Sequence, residues 1–153
     1  MKILIVEDQE EKLDSIMKFL QSHFCNHDVE FKVGRSLRSG LALLVQEQGV
    51  ALIILDMSMP NYDPSDSDPN GGAPEGFAGM RFLEHMELRG LSIPTILITQ
   101  YSTFADGQYS IEELDEKLSS SYGDFYKGFV HYSSASTDWH KGVTEYLRGV
   151  FSC

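Results

Sequence analysis

The sequence has little of what would indicate a disulfide framework, a nucleic-acid surface or a membrane span. Its two cysteines, Cys25 and Cys153, form no closely spaced pair, so neither a disulfide framework nor a zinc site is expected. Only 12 lysine and arginine residues stand against 23 aspartate and glutamate residues, and an acidic surface repels phosphate backbones. No apolar run is long enough to cross a bilayer, and no signal peptide fits the N-terminus. We therefore expect a cytoplasmic protein that binds no membrane and, by itself, no nucleic acid.

What the sequence does contain is a regular alternation of short apolar runs and amphipathic stretches. The runs are typical of strands, some of them buried on both faces. The predicted strands are 2–6, 29–33, 50–55, 94–99 and 128–132. Between and after them, apolar residues recur at three- and four-residue steps, as on one face of a helix. The predicted helices are 9–24, 36–48, 80–86, 111–118 and 139–150.

Five strands that alternate with five helices predict an α/β fold. Such a pattern implies right-handed crossovers and one parallel sheet that is covered by helices on both faces. We expect residues 1–153 to form a single domain. The segment 61–75 is rich in proline, glycine and aspartate, which indicates an irregular loop inserted after the third strand.

Acidic residues follow two of the predicted strands. Glu7 and Asp8 follow the first strand and Asp56 follows the third, while Thr99 ends the fourth. Functional residues of open parallel sheets collect at the carboxyl ends of the strands. Neighbouring carboxylates repel one another unless a cation such as Mg²⁺ intervenes, and a carboxylate can attack a phosphoryl group. Helix and turn capping explains a single acid of this kind, but it is a poor explanation for acids after both strands.

These segments resemble the receiver domain of two-component response regulators. The matching pieces are MKILIVED at 1–8, LIILDMSMP at 52–60, GMRFLEHM at 79–86, IPTILIT at 93–99 and GFVHY at 128–132. The resemblance implies a flavodoxin-like (βα)5 fold with a doubly wound five-stranded parallel sheet in the order 2-1-3-4-5. It also implies that Asp56 is a phosphoacceptor that receives its phosphoryl group from a histidine kinase or a histidine phosphotransfer protein.

The resemblance further implies a Mg²⁺ site around the phosphoacceptor. Glu7 and Asp8 match the family's acidic pair, with Asp8 as a direct ligand. Asp56 itself is a third carboxylate ligand. Ser58 matches the position whose backbone carbonyl completes the metal coordination.

A second group of residues matches the positions that respond to phosphorylation in the family. Thr99 matches the hydroxyl that hydrogen-bonds the phosphoryl group, and Phe129 matches the aromatic switch residue. One expected residue is missing, because Tyr132 stands where the family has a lysine that pairs with the phosphoryl group. Tyr132 can donate a hydrogen bond but carries no positive charge. Lys127 lies at the opposite end of the predicted strand, and Lys141 belongs to the last helix, so neither replaces that lysine simply.

Two functions follow from these observations. The first is a stand-alone response-regulator receiver that is phosphorylated on Asp56 and signals through protein–protein contacts, as a monomer or weak dimer. Such a protein catalyses at most its own phosphotransfer and is not a turnover enzyme. The alternative is a degenerate receiver that binds a partner protein independently of phosphorylation, which the missing lysine favours.

Overall fold

A computed structural model of the chain describes residues 1–60, 63, 77–100, 103–104 and 109–151. Within these residues the chain forms seven strands and five helices. The strands are β1 Lys2–Val6, β2 Glu30–Gly34, β3 Val50–Leu55, β4 Thr95–Thr99, β5 Thr103–Phe104, β6 Tyr109–Ser110 and β7 Tyr126–His131. The helices are α1 Glu10–His23, α2 Leu37–Gln46, α3 Ala78–Leu88, α4 Ile111–Tyr122 and α5 Asp138–Val150.

Five of the strands form one parallel sheet in the order β2-β1-β3-β4-β7. Because β5 and β6 form a separate antiparallel pair, β7 is the fifth strand of the main sheet. The predicted order 2-1-3-4-5 and the flavodoxin-like architecture are therefore confirmed. Val6 pairs with Leu55, and Leu55 pairs with Leu97, so the carboxyl ends of the three central strands lie side by side.

Each face of the sheet has its own apolar core. Ile5 and Ile54 face α1 and α5, whereas Val6 and Leu55 face α2, α3 and α4. Successive strand residues thus alternate between two buried surfaces, as the two-residue period of a strand requires. Burial on both faces explains why these strands are apolar throughout rather than alternately apolar and polar.

The predicted element bounds differ from the structure in a few places. The strand predicted at 50–55 has the bounds of β3, but β7 begins two residues before the predicted strand and ends at His131. The helix predicted to begin at Ser36 begins one residue later, because Ser36 is the N-cap and its hydroxyl accepts the Ser39 amide at 3.0 Å. The pair β5–β6 was not predicted. The predicted loop 61–75 lies outside the described residues except for Asp63.

Gly128 explains part of the geometry of β7. Its φ is +145°, a region that residues with a side chain rarely adopt. A Cβ at this position would also lie 2.1 Å from the hydroxyl oxygen of Tyr146 on α5. Glycine avoids the backbone strain of this φ and leaves space for the Tyr146 ring of α5 against β7.

Among the helices that the structure describes, none combines the length and apolar character needed to cross a membrane.

Candidate functional site

The candidate site lies at the carboxyl edge of the sheet, where β1 and β3 end next to each other. The Asp56 amide donates to the carbonyl oxygen of Val6 at 3.0 Å, which continues the pairing of the two strands by one residue. Asp56 therefore lies directly beside the segment that carries Glu7 and Asp8. The sequence places these acids at two strand ends, and the register of the sheet brings them together.

The three acidic side chains form one tight cluster. One carboxylate oxygen from each of Glu7, Asp8 and Asp56 lies within 4.8 Å of the other two. Glu7 and Asp56 are buried, and Asp8 is half-buried. The Oδ1 atom of Asp8 is shielded from solvent and has no hydrogen-bond partner among the described residues. A buried carboxylate oxygen without a donor is destabilising, so the cluster fits a hard divalent cation that such oxygens would bind.

The predicted site residues do not include Lys12, which lies inside this cluster. Its side chain is only 2% exposed, and its Nζ lies 2.7 Å from Glu7 Oε2 and 3.1 Å from Asp56 Oδ1. The same Nζ donates to the carbonyl oxygen of Ile98, next to the end of β4, at 2.8 Å. The site therefore contains one internal cation among three carboxylates.

A signal for Lys12 is present in the sequence. Lys12, Ile16 and Leu20 follow at four-residue steps on α1, and all three are buried. Residues four apart share one face of a helix, so Lys12 is a charge on the apolar stripe, in the first turn next to the strand ends. Lys127 and Lys141, the two lysines weighed from the sequence, are both exposed.

Burial shifts the proton affinities of the cluster. Burial raises the pKa of Glu7 to about 8, and the Asp56 charge adds to this, while Lys12 opposes it. Burial likewise raises the pKa of Asp56 to about 6, again against the influence of Lys12. Burial alone would lower the pKa of Lys12, but the charges of Asp56 and Glu7 outweigh it and raise that pKa. Without a metal, the cluster thus holds Lys12 charged and keeps a proton near neutral pH.

Tyr132 is a buried residue that borders the site. It is 4% exposed, and its backbone amide donates to the Thr99 carbonyl oxygen at 2.8 Å. Its ring centroid lies 5.9 Å from Lys12 Nζ and 5.3 Å from the ring of Trp139. The ring thus contacts the buried ammonium on one side and the α5 core on the other. The predicted hydrogen bond from Tyr132 to a phosphoryl group stays a prediction.

The remaining predicted residues lie around the cluster. Thr99 is buried at the end of β4, and Ser58 is half-buried two residues after Asp56. Phe129 lies on β7 opposite Leu97 and packs, partly buried, against the core that includes α4. These places agree with the pattern in the sequence, but the roles assigned to Thr99, Ser58 and Phe129 stay predictions.

Gly79 brings the start of α3 close to the acidic cluster. Its amide donates to the Met57 carbonyl oxygen at 2.9 Å, and a Cβ at Gly79 would lie 2.7 Å from the Asp56 carbonyl oxygen. This contact is tighter than a side chain tolerates. Gly79 therefore lets α3 pack directly against the segment that carries Asp56.

No protein-family model matches the chain, but two relatives match along nearly their whole length. An uncharacterized protein, y4jR, of Sinorhizobium fredii (strain NBRC 101917 / NGR234) is 32% identical over 145 residues and covers 94% of each chain. The Detocs response regulatory protein DtcB of Enterobacter cloacae (strain JD6301) is 32% identical over 153 residues. That match covers 95% of this chain and 99% of the relative. The chain belongs to the response-regulator receiver family.

Solved structures of receivers have the same fold as this receiver. A CheY-like receiver domain protein from Methanospirillum hungatei JF-1 has a TM-score of 0.63 at 19% identity and covers 97% of this chain and 92% of its own. The CheX–CheY–BeF3–Mg²⁺ complex from Borrelia burgdorferi has a TM-score of 0.65 at 15% identity, with coverages of 100% and 90%. CheY6 in complex with the P1 domain of CheA3 from R. sphaeroides has a TM-score of 0.63 at 18% identity, with coverages of 99% and 97%.

Proposed function

We propose that this receiver accepts a phosphoryl group on Asp56, with Mg²⁺ bound at the acidic cluster, and signals through contacts with other proteins. The observation that carries the proposal is the convergence of Glu7, Asp8 and Asp56 within 4.8 Å, with Asp8 Oδ1 buried and unpartnered among the described residues. A purely structural set of caps would not leave such an oxygen without a donor. The arrangement of the three carboxylates suits a dication and an anionic phosphoryl group together.

The proposed chemistry is transfer of a phosphoryl group between side chains. A lone pair of an Asp56 carboxylate oxygen attacks the phosphorus of a phosphohistidine on the donor protein. The P–N bond breaks, and its electron pair stays on the histidine nitrogen, which takes up a proton. Asp56 then carries an acyl phosphate. A bound Mg²⁺ would neutralise charge on the transferring phosphoryl oxygens, and Glu7, Asp8, Asp56 and the carbonyl of Ser58 would hold it.

The donor class is proposed from the family and from related complexes. A relative that covers 95% of this chain is named a response regulatory protein. One solved receiver of the same fold is bound to the P1 domain of CheA3, and another is in a complex that contains CheX, BeF3 and Mg²⁺. A histidine kinase or a histidine phosphotransfer protein is therefore the proposed donor for this chain.

The proposed output surface is the face formed by α4, β7 and α5. Thr99 ends β4 beside β7, and its carbonyl oxygen accepts the Tyr132 amide, so movement at Thr99 is linked to the end of β7. Phe129 is partly buried on the same strand. We propose that phosphorylation moves Thr99 and Phe129 together and so alters this face.

One observation favours the alternative of a phosphorylation-independent binding module. Lys12 pairs with both Glu7 and Asp56, so the acidic cluster has an internal counterion and its repulsion is partly relieved without a metal. Asp56 is also only 4% exposed, which would slow a bulky donor. Under this alternative, the protein would bind its partner with the same affinity whether or not Asp56 is replaced.

Acetyl phosphate distinguishes the two functions without knowledge of the kinase. Purified protein is incubated with acetyl phosphate and either Mg²⁺ or a chelator, and intact mass spectrometry follows a single phosphoryl adduct. We expect a Mg²⁺-dependent adduct on the wild type and on Asp124→Asn, a control at an exposed aspartate outside the cluster. Asp56→Asn should give none. An adduct of equal yield on Asp56→Asn, or none on folded wild-type protein, would refute the proposed function.

A further inference from the structure

Lys12 is held in one position by three acceptors. Its ammonium has three donors, and Glu7 Oε2, Asp56 Oδ1 and the Ile98 carbonyl oxygen lie 2.7, 3.1 and 2.8 Å away. These contacts use the full donor capacity of the group. A charge that is already oriented in a buried site needs no rearrangement when negative charge develops beside it. Lys12 therefore has the placement of a reaction-site cation rather than of a surface ion pair.

The contacts of Asp56 separate the roles of its two oxygens. Oδ1 accepts from Lys12 Nζ at 3.1 Å and from the Met57 amide at 2.9 Å, and within the described part of the chain both hydrogen bonds to this carboxylate go to Oδ1. Oδ1 already accepts two hydrogen bonds, so Oδ2 is the oxygen with lone pairs left for phosphorus and for the proposed Mg²⁺. Oδ1 then becomes the carbonyl oxygen of the acyl phosphate, and Lys12 and Met57 can continue to donate to it.

Tyr132 and Lys12 are neighbours in the same part of the site. The Tyr132 ring lies 5.9 Å from Lys12 Nζ, close enough for a favourable cation–π contact. A lysine at 132 would instead bring a second positive charge towards the buried ammonium, which Coulomb repulsion opposes. The loss of lysine at 132 and the presence of lysine at 12 are therefore compatible with each other, since an aromatic ring is the better neighbour for Lys12.

We propose that Lys12, from α1, is the catalytic cation of this receiver: it contacts Asp56 Oδ1 and supplies, beside the acyl phosphate, the positive charge that the family takes from the lysine after the fifth strand. This inference rests on the proposed phosphoacceptor role of Asp56. It predicts that Lys12→Met lowers the Mg²⁺-dependent phosphorylation rate by about 100-fold, the usual effect of removing one preorganised group that stabilises the transition state. Lys18→Met, which removes a lysine from the exposed side of the same helix, should leave the rate unchanged.

A double variant that moves the lysine from position 12 to position 132 distinguishes a chemical role of Lys12 from a packing role. In Lys12→Met/Tyr132→Lys, the ammonium would come from the strand side, at the position that the family uses. We expect this double variant to recover at least about tenfold of the rate lost in Lys12→Met. If Lys12 only filled space in the fold, a lysine at 132 would not restore phosphorylation, and Tyr132→Lys would add a packing defect beside Trp139.

The experiment measures initial phosphorylation rates with acetyl phosphate and Mg²⁺ for the wild type and each variant, with circular dichroism and thermal unfolding as checks of folding. Should Lys12→Met not fold, Lys12→Gln keeps a donor without the charge and is expected to show the same loss. A folded Lys12 variant that is phosphorylated at the wild-type rate overturns the inference and leaves the proposed function intact. Absence of phosphorylation in the wild type would instead count against the proposed function itself.

Discussion

Binding of Mg²⁺ to the acidic cluster should release a proton near neutral pH. Without a metal, the pKa of Glu7 is about 8 and that of Asp56 is about 6. At pH 7 the cluster then holds about one proton, mainly on Glu7. A dication beside the cluster favours the ionised carboxylates. We therefore expect about one proton released per Mg²⁺ bound at pH 7, and about a tenth of a proton at pH 9.

Because protonation and metal binding compete at the cluster, the same pKa values set how the affinity for Mg²⁺ changes with pH. Both carboxyl pKa values are raised, so the protonated, metal-free form competes with Mg²⁺ at low pH, and affinity rises with pH until Glu7 is ionised. The fraction of molecules with both groups ionised increases about 200-fold between pH 6 and pH 9. That increase corresponds to about 3 kcal/mol of binding free energy. Above pH 9, the affinity should become constant.

Isothermal titration calorimetry of Mg²⁺ into the protein measures both quantities. Titrations at one pH in buffers with different ionisation enthalpies give the number of protons released. Glu7→Gln fixes an uncharged side chain at this position, so its proton release at pH 7 should fall to about a tenth. Binding heats at pH 7 that do not depend on the buffer would refute the reasoning, because Glu7 would then be ionised before the metal binds.

Three further substitutions test the packing of β7 and α3, each by urea unfolding of the metal-free protein. Gly128→Ala should lower the free energy of unfolding by at least about 2 kcal/mol, because φ is +145° and the Cβ would lie 2.1 Å from the Tyr146 hydroxyl oxygen. An unchanged urea midpoint of unfolding would contradict this packing. Tyr126→Phe removes a 2.6 Å hydrogen bond to Asp115 and should lower the free energy of unfolding by about 1.5–3 kcal/mol. In protein that already carries Asp115→Ala, the same substitution should cause no further loss. Phe82→Ala removes the ring of a side chain that is 0% exposed. It should lower the free energy of unfolding by about 3–5 kcal/mol. A loss below about 1 kcal/mol would show that the side chains around α3 rearrange to fill the cavity.

Most of the fold was predictable because its signals are local. The run at 50–55 is apolar throughout, and β3 has those bounds, since a strand buried on both faces admits only apolar residues. The pair β5–β6 was not predictable, because strands of two residues are too short to show a period. The early start of β7 was missed because Lys127, a charged and exposed residue, separates Tyr126 from the apolar run that predicts the strand.

The candidate site was predictable only in part, because its acids follow strands while its cation comes from a helix. Glu7, Asp8 and Asp56 stand directly after apolar runs, and the parallel order of the strands alone brings them to one edge. Lys12 reaches Asp56 across 44 positions of the chain, and its contact depends on how α1 packs against the sheet. Periodicity identifies the buried stripe of α1, but it does not show which strand end the stripe faces.

Asp56 is the residue that we propose receives the phosphoryl group. Borohydride reduces an aspartyl phosphate to homoserine, which marks the acceptor position permanently in a peptide. Protein treated with acetyl phosphate and Mg²⁺ is reduced, digested and sequenced by tandem mass spectrometry. We expect homoserine at position 56 in the Mg²⁺ sample and none in a sample treated with a chelator. Homoserine at another aspartate, or none at position 56 in folded protein, would contradict the account.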